Sequence, residues 1–179
     1  ARSGLLPPEP TTRFDRELEQ MFREPYAMLS RTALSLLDSP ADADDVPQTI
    51  FLRLLRTGLP AEMSKNPAGY LYRAAVNVSL NVIRTRRRQR LTDGVEDLEI
   101  VVDTSSTTTK EKIHKRLAEA IAELPQNAAH VLILRYVHNC PEANIAKILG
   151  TSRSTVAMRL FRARVKLKKL MRNSWGENQ

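Results

Sequence analysis

The sequence predicts an all-α chain that forms two small helical domains joined by a flexible acidic linker. Its 179 residues are enough for one domain or two small ones. Ten prolines and six glycines are too few for a loop-rich β protein. Apolar residues recur at helical spacing in two blocks, and a Ser/Thr-rich acidic stretch separates the blocks. No apolar run approaches the roughly 20 residues that cross a membrane.

The first block begins after a tail that we place at residues 1–13. Apolar positions from Leu18 to Leu37 predict a helix over residues 14–37. A second helix is expected from about 44 to 56. Its Pro47 is tolerable only in the first turn, which makes Asp44 or Asp45 the expected N-cap. Residues 57–66 are expected to form a loop.

A third helix, predicted from about 67 to 90, has two different faces. Leu71, Ala75, Val78 and Val82 form its apolar face. A polar stripe recurs every three or four residues and consists only of amide and guanidinium groups: Arg73, Asn77, Asn81, Arg84 and Arg88. A solvated surface more often mixes Glu with Lys, whereas amides and guanidinium groups bind bases and phosphates. The stripe therefore indicates a nucleic-acid contact.

Residues 91–112 break the helical pattern and are expected to be the linker. The segment carries six acidic and two basic residues and is rich in Ser and Thr. Its LEIVV run, residues 98–102, could alternatively form a short strand. Fully extended, about twenty residues span roughly 70 Å, so the two domains could lie far apart.

Charge is concentrated in two basic blocks on either side of this acidic segment. Residues 84–90 carry five basic groups, and residues 143–172 carry nine basic groups and no acid, within an overall charge of +8. Such clusters favour polyanions, because each neutralised phosphate releases condensed counterions. One short charged run more often means a solvated face, but two blocks favour nucleic acid.

Four helices are predicted in the second block, over 111–124, 128–137, 142–149 and 152–171. The last two have the spacing of a helix-turn-helix. Ile145 and Leu149 would be buried, Gly150 would supply a left-handed turn residue, Ser152 would cap the next helix and Val156 would return to the core. The last helix would expose six positions near its start, namely Arg153, Ser154, Thr155, Met158, Arg159 and Arg162. This arrangement suits insertion into the major groove, although an ordinary helical hairpin with a charged exterior is the alternative.

These residues resemble the fourth domain of bacterial sigma factors. The matching positions are Leu124–Pro125, Leu134–Arg135, Ile145–Ala146, Leu149–Gly150, Ser152, Thr155–Val156, Arg159–Leu160 and Arg162–Ala163–Arg164. The first block resembles sigma domain 2: ADADDVPQTIFLRLLR is similar to its polymerase-binding stretch and NPAGYLYRAAVNVSLNVIRTRRRQR to its promoter-melting helix. The absence of further domains is similar to the extracytoplasmic-function (ECF) group. The sequence departs from the family pattern at Pro47, Thr49–Ile50, Tyr70, Ala128–Ala129–His130 and Asn144.

The resemblance implies domain 2 over residues 14–90, domain 4 over 113–172 with its helix-turn-helix at 142–161, and a tail from 173 to 179. It implies that RNA polymerase core binds Asp45, Gln48, Phe51, Leu52 and Arg53, with core packing as the alternative for Phe51 and Leu52. Promoter DNA at the −10 element, including the melted non-template strand, would contact Arg73, Asn77, Asn81, Arg84, Arg87 and Arg88. The six exposed positions of the last helix would contact the double-stranded −35 element. An anti-sigma protein, a cytoplasmic location and no cofactor or metal are also implied.

Two other classes of protein compete with this interpretation. A helix-turn-helix regulator that is not a polymerase subunit would need a receiver-type βα alternation, which residues 1–90 do not show. An enzyme or metal protein would have to use His114, His130, His138 and Cys140, which lack a recurring spacing. Cys140 with His138 could bind metal or sense oxidation, but a structural or exposed thiol is favoured.

Overall fold

All regular structure in the described part of the chain is helical. The structure is a computed structural model, and it describes residues 25–93 and 109–176 together with Arg16, Gln20 and Arg23. Four helices form a first bundle: α1 (Tyr26–Leu34), α2 (Pro40–Thr57), α3 (Ala61–Lys65) and α4 (Pro67–Thr92). Four more form a second bundle: α5 (Thr109–Ala122), α6 (Gln126–Tyr136), α7 (Glu142–Leu149) and α8 (Arg153–Gly176). This confirms the predicted all-α fold.

The first bundle is built around α4, which packs against α1, α2 and α3. Its core includes Leu29, Ile50, Leu54, Met63 and Leu71, each at most 3% exposed. Asn66 caps α4, since its Oδ1 accepts from the Gly69 N–H at 2.9 Å, and Pro67 follows at the first helical position. The predicted apolar face is half right, because Leu71 and Ala75 are buried while Val78 and Val82 are only partly so.

Three sequence predictions for the first bundle were wrong. Arg16, Gln20 and Arg23 are helical, but the helix expected to run to Leu37 restarts after a turn at Pro25 and ends at Leu34. The second helix starts at Pro40, not near Asp44, because Ser39 is the N-cap: its Oγ accepts from the Asp42 N–H at 3.3 Å.

Pro47 therefore lies inside α2, where it is buried, and packing of Val46, Ile50 and Leu54 against α1 and α4 stabilises the helix around it. The expected loop at 57–66 contains the short helix α3, whose Met63 is buried. The possible strand at 98–102, and most of the expected linker, lie outside the described residues.

The second bundle holds the helix-turn-helix. Gly150 ends α7 at φ 64° and ψ 43°, and the Thr151 N–H bonds the Ala146 carbonyl at 2.9 Å. Ser152 caps α8, since its Oγ accepts from the Thr155 N–H at 3.1 Å. Ile145 and Val156 are fully buried. The predicted turn residue, cap and core positions are confirmed, although Leu149 is only half-buried.

The two bundles lie against each other. Helix α4 contacts α5, α6 and α7, and one continuous hydrophobic cluster runs through both bundles. The sequence, with its long linker, gave no reason to expect this contact.

Candidate nucleic-acid interface

The start of α8 presents the residues predicted to read double-stranded DNA; we call them the α8 face. Arg153, Ser154, Met158 and Arg162 are exposed, while Thr155 and Arg159 are half-buried. Four arginines occur between positions 153 and 164, and the positive end of the helix dipole is next to Arg153. Charge and exposure on this face suit contact with phosphates and base edges in a groove.

Two apolar residues next to the α8 face were missed from the sequence. Phe161 is 64% exposed and Val165 is 58% exposed, and with Met158 they form an exposed stripe at spacings of three and four. The same spacing that predicted the buried seam at Val156, Leu160 and Ala163 places these three on the opposite side, so the helical period could have found them.

The polar stripe of α4, our α4 stripe, is divided in the structure. Asn81 and Arg88 are exposed, as a DNA-contacting face requires. Arg73, Asn77 and Arg84 are half-buried, and Asn77 and Arg84 form hydrogen bonds to the second bundle. The Arg84 Nε–H donates to the Ala122 carbonyl at 2.8 Å, at the C-terminus of α5 where the helix dipole is negative.

Two more arginines of α4 form ion pairs with α5 and with the turn that follows it. Arg87 pairs with Glu123, and Arg90 pairs with Glu119. Arg86 instead pairs within the first bundle, with Asp42 at 2.7 Å, and this bond holds the pKa of the Asp42 carboxyl below its usual value. Arg84 and Arg87, two of the residues predicted to contact the −10 element, are therefore occupied by a helix end and by a carboxylate.

Asn77 contacts His130 at the start of α6. The two atoms involved, Asn77 Oδ1 and His130 Nε2, are 3.2 Å apart. Since the amide oxygen has no proton to give, the Nε2–H donates. Burial, and then the positive charges of Arg73 and Arg159, lower the His130 pKa from 6.5 to about 4, so the imidazole is neutral. One histidine thus faces an arginine from each of the two predicted DNA surfaces.

Tyr72 and His138 take part in two further hydrogen bonds between the bundles. The Tyr72 hydroxyl donates to the His130 carbonyl at 2.8 Å, and burial raises the Tyr72 pKa well above its usual value. The Thr32 hydroxyl donates to the Met28 carbonyl at 2.7 Å, so it accepts from His138 Nε2 at 2.9 Å. Burial lowers the pKa of His138 as well.

Four of the five residues predicted to bind polymerase are exposed on α2, and we call these four the α2 face. Asp45, Gln48, Leu52 and Arg53 are exposed, and Leu52 is an apolar side chain half open to solvent. Phe51 is half-buried and packs against the core, which favours the alternative of core packing for that residue. The face lies outside the contact between the bundles.

An open apolar groove of about 520 Å³ runs between α5, α6 and α8, with the end of α1 on one side. Its floor contains Leu117, Ile121, Leu167 and Met171, and Tyr136 is 58% exposed at its edge. Arg164 and Lys168 form a basic rim. The Arg164 Nε–H donates to the Tyr136 hydroxyl at 2.7 Å, and its guanidinium group lies 5.7 Å from the ring centre.

Among the described residues, the histidines and the cysteine do not belong to a group of three or more side chains that could hold a metal ion. Each histidine is used in the contact between bundles; His114 Nδ1 lies 2.7 Å from Asp38 Oδ1. Cys140 is half-buried, and burial raises its pKa, which disfavours the reactive thiolate. Within the described ranges, no helix combines the length and apolar character needed to cross a membrane.

Comparison with known proteins adds two family matches, which cover both bundles. Residues 21–89 match the family described as Sigma-70 region 2, and residues 114–167 match Sigma-70, region 4. RNA polymerase sigma factor HrpL of Pseudomonas syringae pv. syringae is 30% identical over 156 residues, 84% of this chain and 85% of that protein. ECF RNA polymerase sigma factor SigW of Bacillus subtilis (strain 168) is 25% identical over 149 residues, 77% of this chain and 80% of that protein. The solved structure of CnrH in complex with the cytosolic domain of CnrY is similar at a TM-score of 0.48 and 23% identity, covering 87% and 88% of the two chains.

Proposed function

Because the chain belongs to the ECF group of sigma-70 factors, we propose that it binds RNA polymerase core and directs transcription from a defined set of promoters. The observation that carries this proposal is that each of the two bundles has a basic surface. The α8 face begins at a capped helix start after a glycine turn, and the α4 stripe lies on the other bundle. Polymerase works in the cytoplasm, so we place the chain there.

We assign promoter contacts by the chemistry of each surface. The α8 face reads the double-stranded −35 element, since exposed arginines, hydroxyls and Met158 match base edges, phosphates and thymine methyl groups. The α4 stripe, with Arg87, holds the −10 element. Asn77 would bind a base edge of the melted non-template strand, because a carboxamide both donates and accepts.

We assign polymerase binding to the α2 face. Its exposed carboxylate, carboxamide, leucine and arginine combine apolar contact with directional polar contact. The face is accessible in the present arrangement of the bundles, so a first contact with polymerase needs no rearrangement of α2.

The apolar groove is the site we assign to an anti-sigma protein. An apolar floor with Arg164 and Lys168 at its rim suits an amphipathic helix with acidic residues along its edges. A Tyr136→Glu variant should weaken inhibition by such a protein, because it places an acid at the apolar edge. Tyr26→Glu, at another exposed tyrosine outside the groove, is the matched control.

The proposed function is tested by transcription in vitro with core polymerase on a promoter library, reading the 5′ ends of the transcripts. Addition of the chain should enrich a subset of promoters that share two sequence elements. Equal transcript sets with and without the chain would refute the proposed function. An Arg53→Glu variant should fail to bind core yet keep its fold, since Arg53 is exposed.

A further inference from the structure

A second cavity, of about 210 Å³, lies where the two bundles meet; we call it the junction pocket. Its walls come from residues 36–38, which follow α1, from the C-terminal half of α4 and from the middle of α5. The pocket opens to solvent on one side. It is separate from the apolar groove, with which it shares only Leu36 and Ala118. None of the surfaces assigned above uses its charged residues.

The floor of the junction pocket is apolar and tightly packed. Leu36, Leu37, Ile83 and Ala118 line it, and each is at most 8% exposed. These side chains offer no hydrogen bond, so the part of a ligand that fills the floor must itself be apolar. An apolar cavity of about 150 Å³ is known to hold benzene. The junction pocket therefore has room for one aromatic ring or one branched alkyl group with a polar head.

Three cationic side chains surround the mouth of the junction pocket. Arg86 and Arg90 are four residues apart on α4 and so share one face of that helix, and Lys115 contributes the third cation from α5. Arg86 Nη2 lies 2.7 Å from Asp42 Oδ2, but a guanidinium group has five N–H donors and a carboxylate takes at most two. Within the described ranges, no ion pair includes Lys115. The mouth thus retains cationic donors for a ligand.

The two acidic side chains of the same mouth already have partners. Glu119 pairs with Arg90, which joins α5 to α4 beside the pocket. Asp38 Oδ1 lies 2.7 Å from His114 Nδ1, which joins the segment after α1 to α5. Three cations therefore stand against two carboxylates that are each engaged elsewhere, and the mouth favours a ligand with negative charge.

We propose that the junction pocket binds a small organic acid, with an aromatic or branched alkyl group on the apolar floor and a carboxylate at Arg86, Arg90 and Lys115. A carboxylate is planar and accepts parallel bonds from a guanidinium group, which suits two arginines on one helix face. These three cations are assigned neither to DNA nor to polymerase, so the site goes beyond the proposed function. Since α4 and α5 belong to different bundles, the bound acid bridges the two.

Titration of the full-length chain with para-fluorobenzoate, followed by fluorine NMR, is the direct test. We expect saturable binding with a Kd of about 1 mM or tighter, which is within reach of a ligand with roughly ten non-hydrogen atoms. Absence of saturable binding in this range would overturn the proposal.

Two further ligands test the two halves of the site separately. Para-fluorobenzyl alcohol keeps the ring but lacks the charge, and fluoroacetate keeps the charge but lacks the ring. Each should bind about tenfold more weakly than para-fluorobenzoate, because each loses either the charge-assisted hydrogen bonds or the apolar burial. If either one binds as tightly as para-fluorobenzoate, the pocket does not recognise the combination and the proposal is wrong.

Methyl signals of a chain labelled at isoleucine and methionine locate the bound acid. Ile83 lines the junction pocket, Met171 lines the apolar groove and Ile113 is exposed outside both. Addition of para-fluorobenzoate should move the Ile83 signal and leave the other two in place. Movement of Met171 without Ile83 would show that the acid binds the apolar groove, against the proposal.

A pair of charge-reversal variants tests the cationic mouth. Lys115→Glu should weaken binding of para-fluorobenzoate about tenfold, because it replaces an attraction with a repulsion at the carboxylate. Lys112→Glu is the matched control, since it makes the same change in net charge at an exposed position of α5 that does not line the pocket. Both positions are exposed, so both variants should keep the fold, which circular dichroism checks. Equal affinities of the two variants would refute a role for Lys115 and with it the proposed mouth.

Discussion

Alanine at Gly150 should destabilise the second bundle through the backbone alone. Gly150 has φ 64° and ψ 43°, in the left-handed region, and no atom lies within 4 Å of the place where a Cβ would stand. The left-handed conformation costs an L-residue about 1–2 kcal/mol. The alanine also restricts the unfolded chain, which offsets about 0.4–1 kcal/mol. The net loss in free energy of unfolding should be about 1 kcal/mol.

Two further substitutions separate this conformational cost from other causes. Asparagine tolerates the left-handed region, so Gly150→Asn should cost less than Gly150→Ala. Gly58 also has open space around it, but its φ of 75° with ψ of 176° lies in a region that is essentially restricted to glycine. Gly58→Ala should therefore cost more, about 2–3 kcal/mol.

Urea denaturation followed by circular dichroism at 222 nm measures all three variants. The expected order of destabilisation is Gly58→Ala, then Gly150→Ala, then Gly150→Asn. If Gly150→Asn is as damaging as Gly150→Ala, backbone conformation does not explain the requirement for glycine in the turn. Binding of −35 DNA should weaken in parallel, since the turn sets the direction of α8 relative to α7.

Three other predictions test the DNA surfaces and the interface histidine. Arg162→Ala should reduce the salt dependence of −35 DNA binding by about one unit of slope, whereas the exposed Lys112→Ala should leave it unchanged; equal slopes for both would exclude Arg162 as a phosphate contact. Asn77→Ala should preserve polymerase binding but lower promoter opening about tenfold to a hundredfold, because one base contact contributes roughly 1–3 kcal/mol. Permanganate reactivity of unpaired thymines measures the opening, and unchanged opening would exclude Asn77 as the base contact. The pKa of His130 is about 4 in the folded chain and 6.5 in the unfolded chain, so the unfolded chain takes up the proton first as the pH falls below 6.5. The free energy of unfolding should therefore drop by up to about 3 kcal/mol by pH 4. His130→Asn should remove that part of the loss in urea titrations, and an identical pH profile would show that folding does not change the pKa of His130.

The fold of each bundle was predictable because its determinants are local in sequence. Within seven residues the sequence indicates a turn at Gly150, a helix cap at Ser152 and a core position at Val156, and all three are as predicted. The start of α2 was misplaced for a local reason too. Both Ser39–Pro40 and the Asp44–Asp45 pair are N-terminal signals, and the assumption that Pro47 must lie in a first turn favoured the wrong one. Tertiary packing around Pro47 overrides that rule.

The candidate surfaces were predictable as patterns of residue type, but the contacts that cover part of the α4 stripe were not. Helical spacing alone places Arg73, Asn77 and Arg84 on one face of α4. Nothing in that spacing shows that this face meets His130 and the end of α5, because those partners are 53 and 38 residues away along the chain. Such pairings depend on how two bundles dock, and docking depends on surface shape as well as on charge.

The contact between the two bundles gives a physical reason for one feature at which the sequence departs from the family pattern. Ala128, Ala129 and His130, one of these departures, lie in the first half of α6. An arginine at position 130 would place a third guanidinium beside Arg73 and Arg159 in a buried site, which Coulomb repulsion and desolvation oppose. A histidine avoids this penalty by remaining neutral, and its Nε2–H still satisfies the Asn77 carboxamide oxygen. A neutral histidine at this position is therefore compatible with the close approach of the two basic surfaces of this chain.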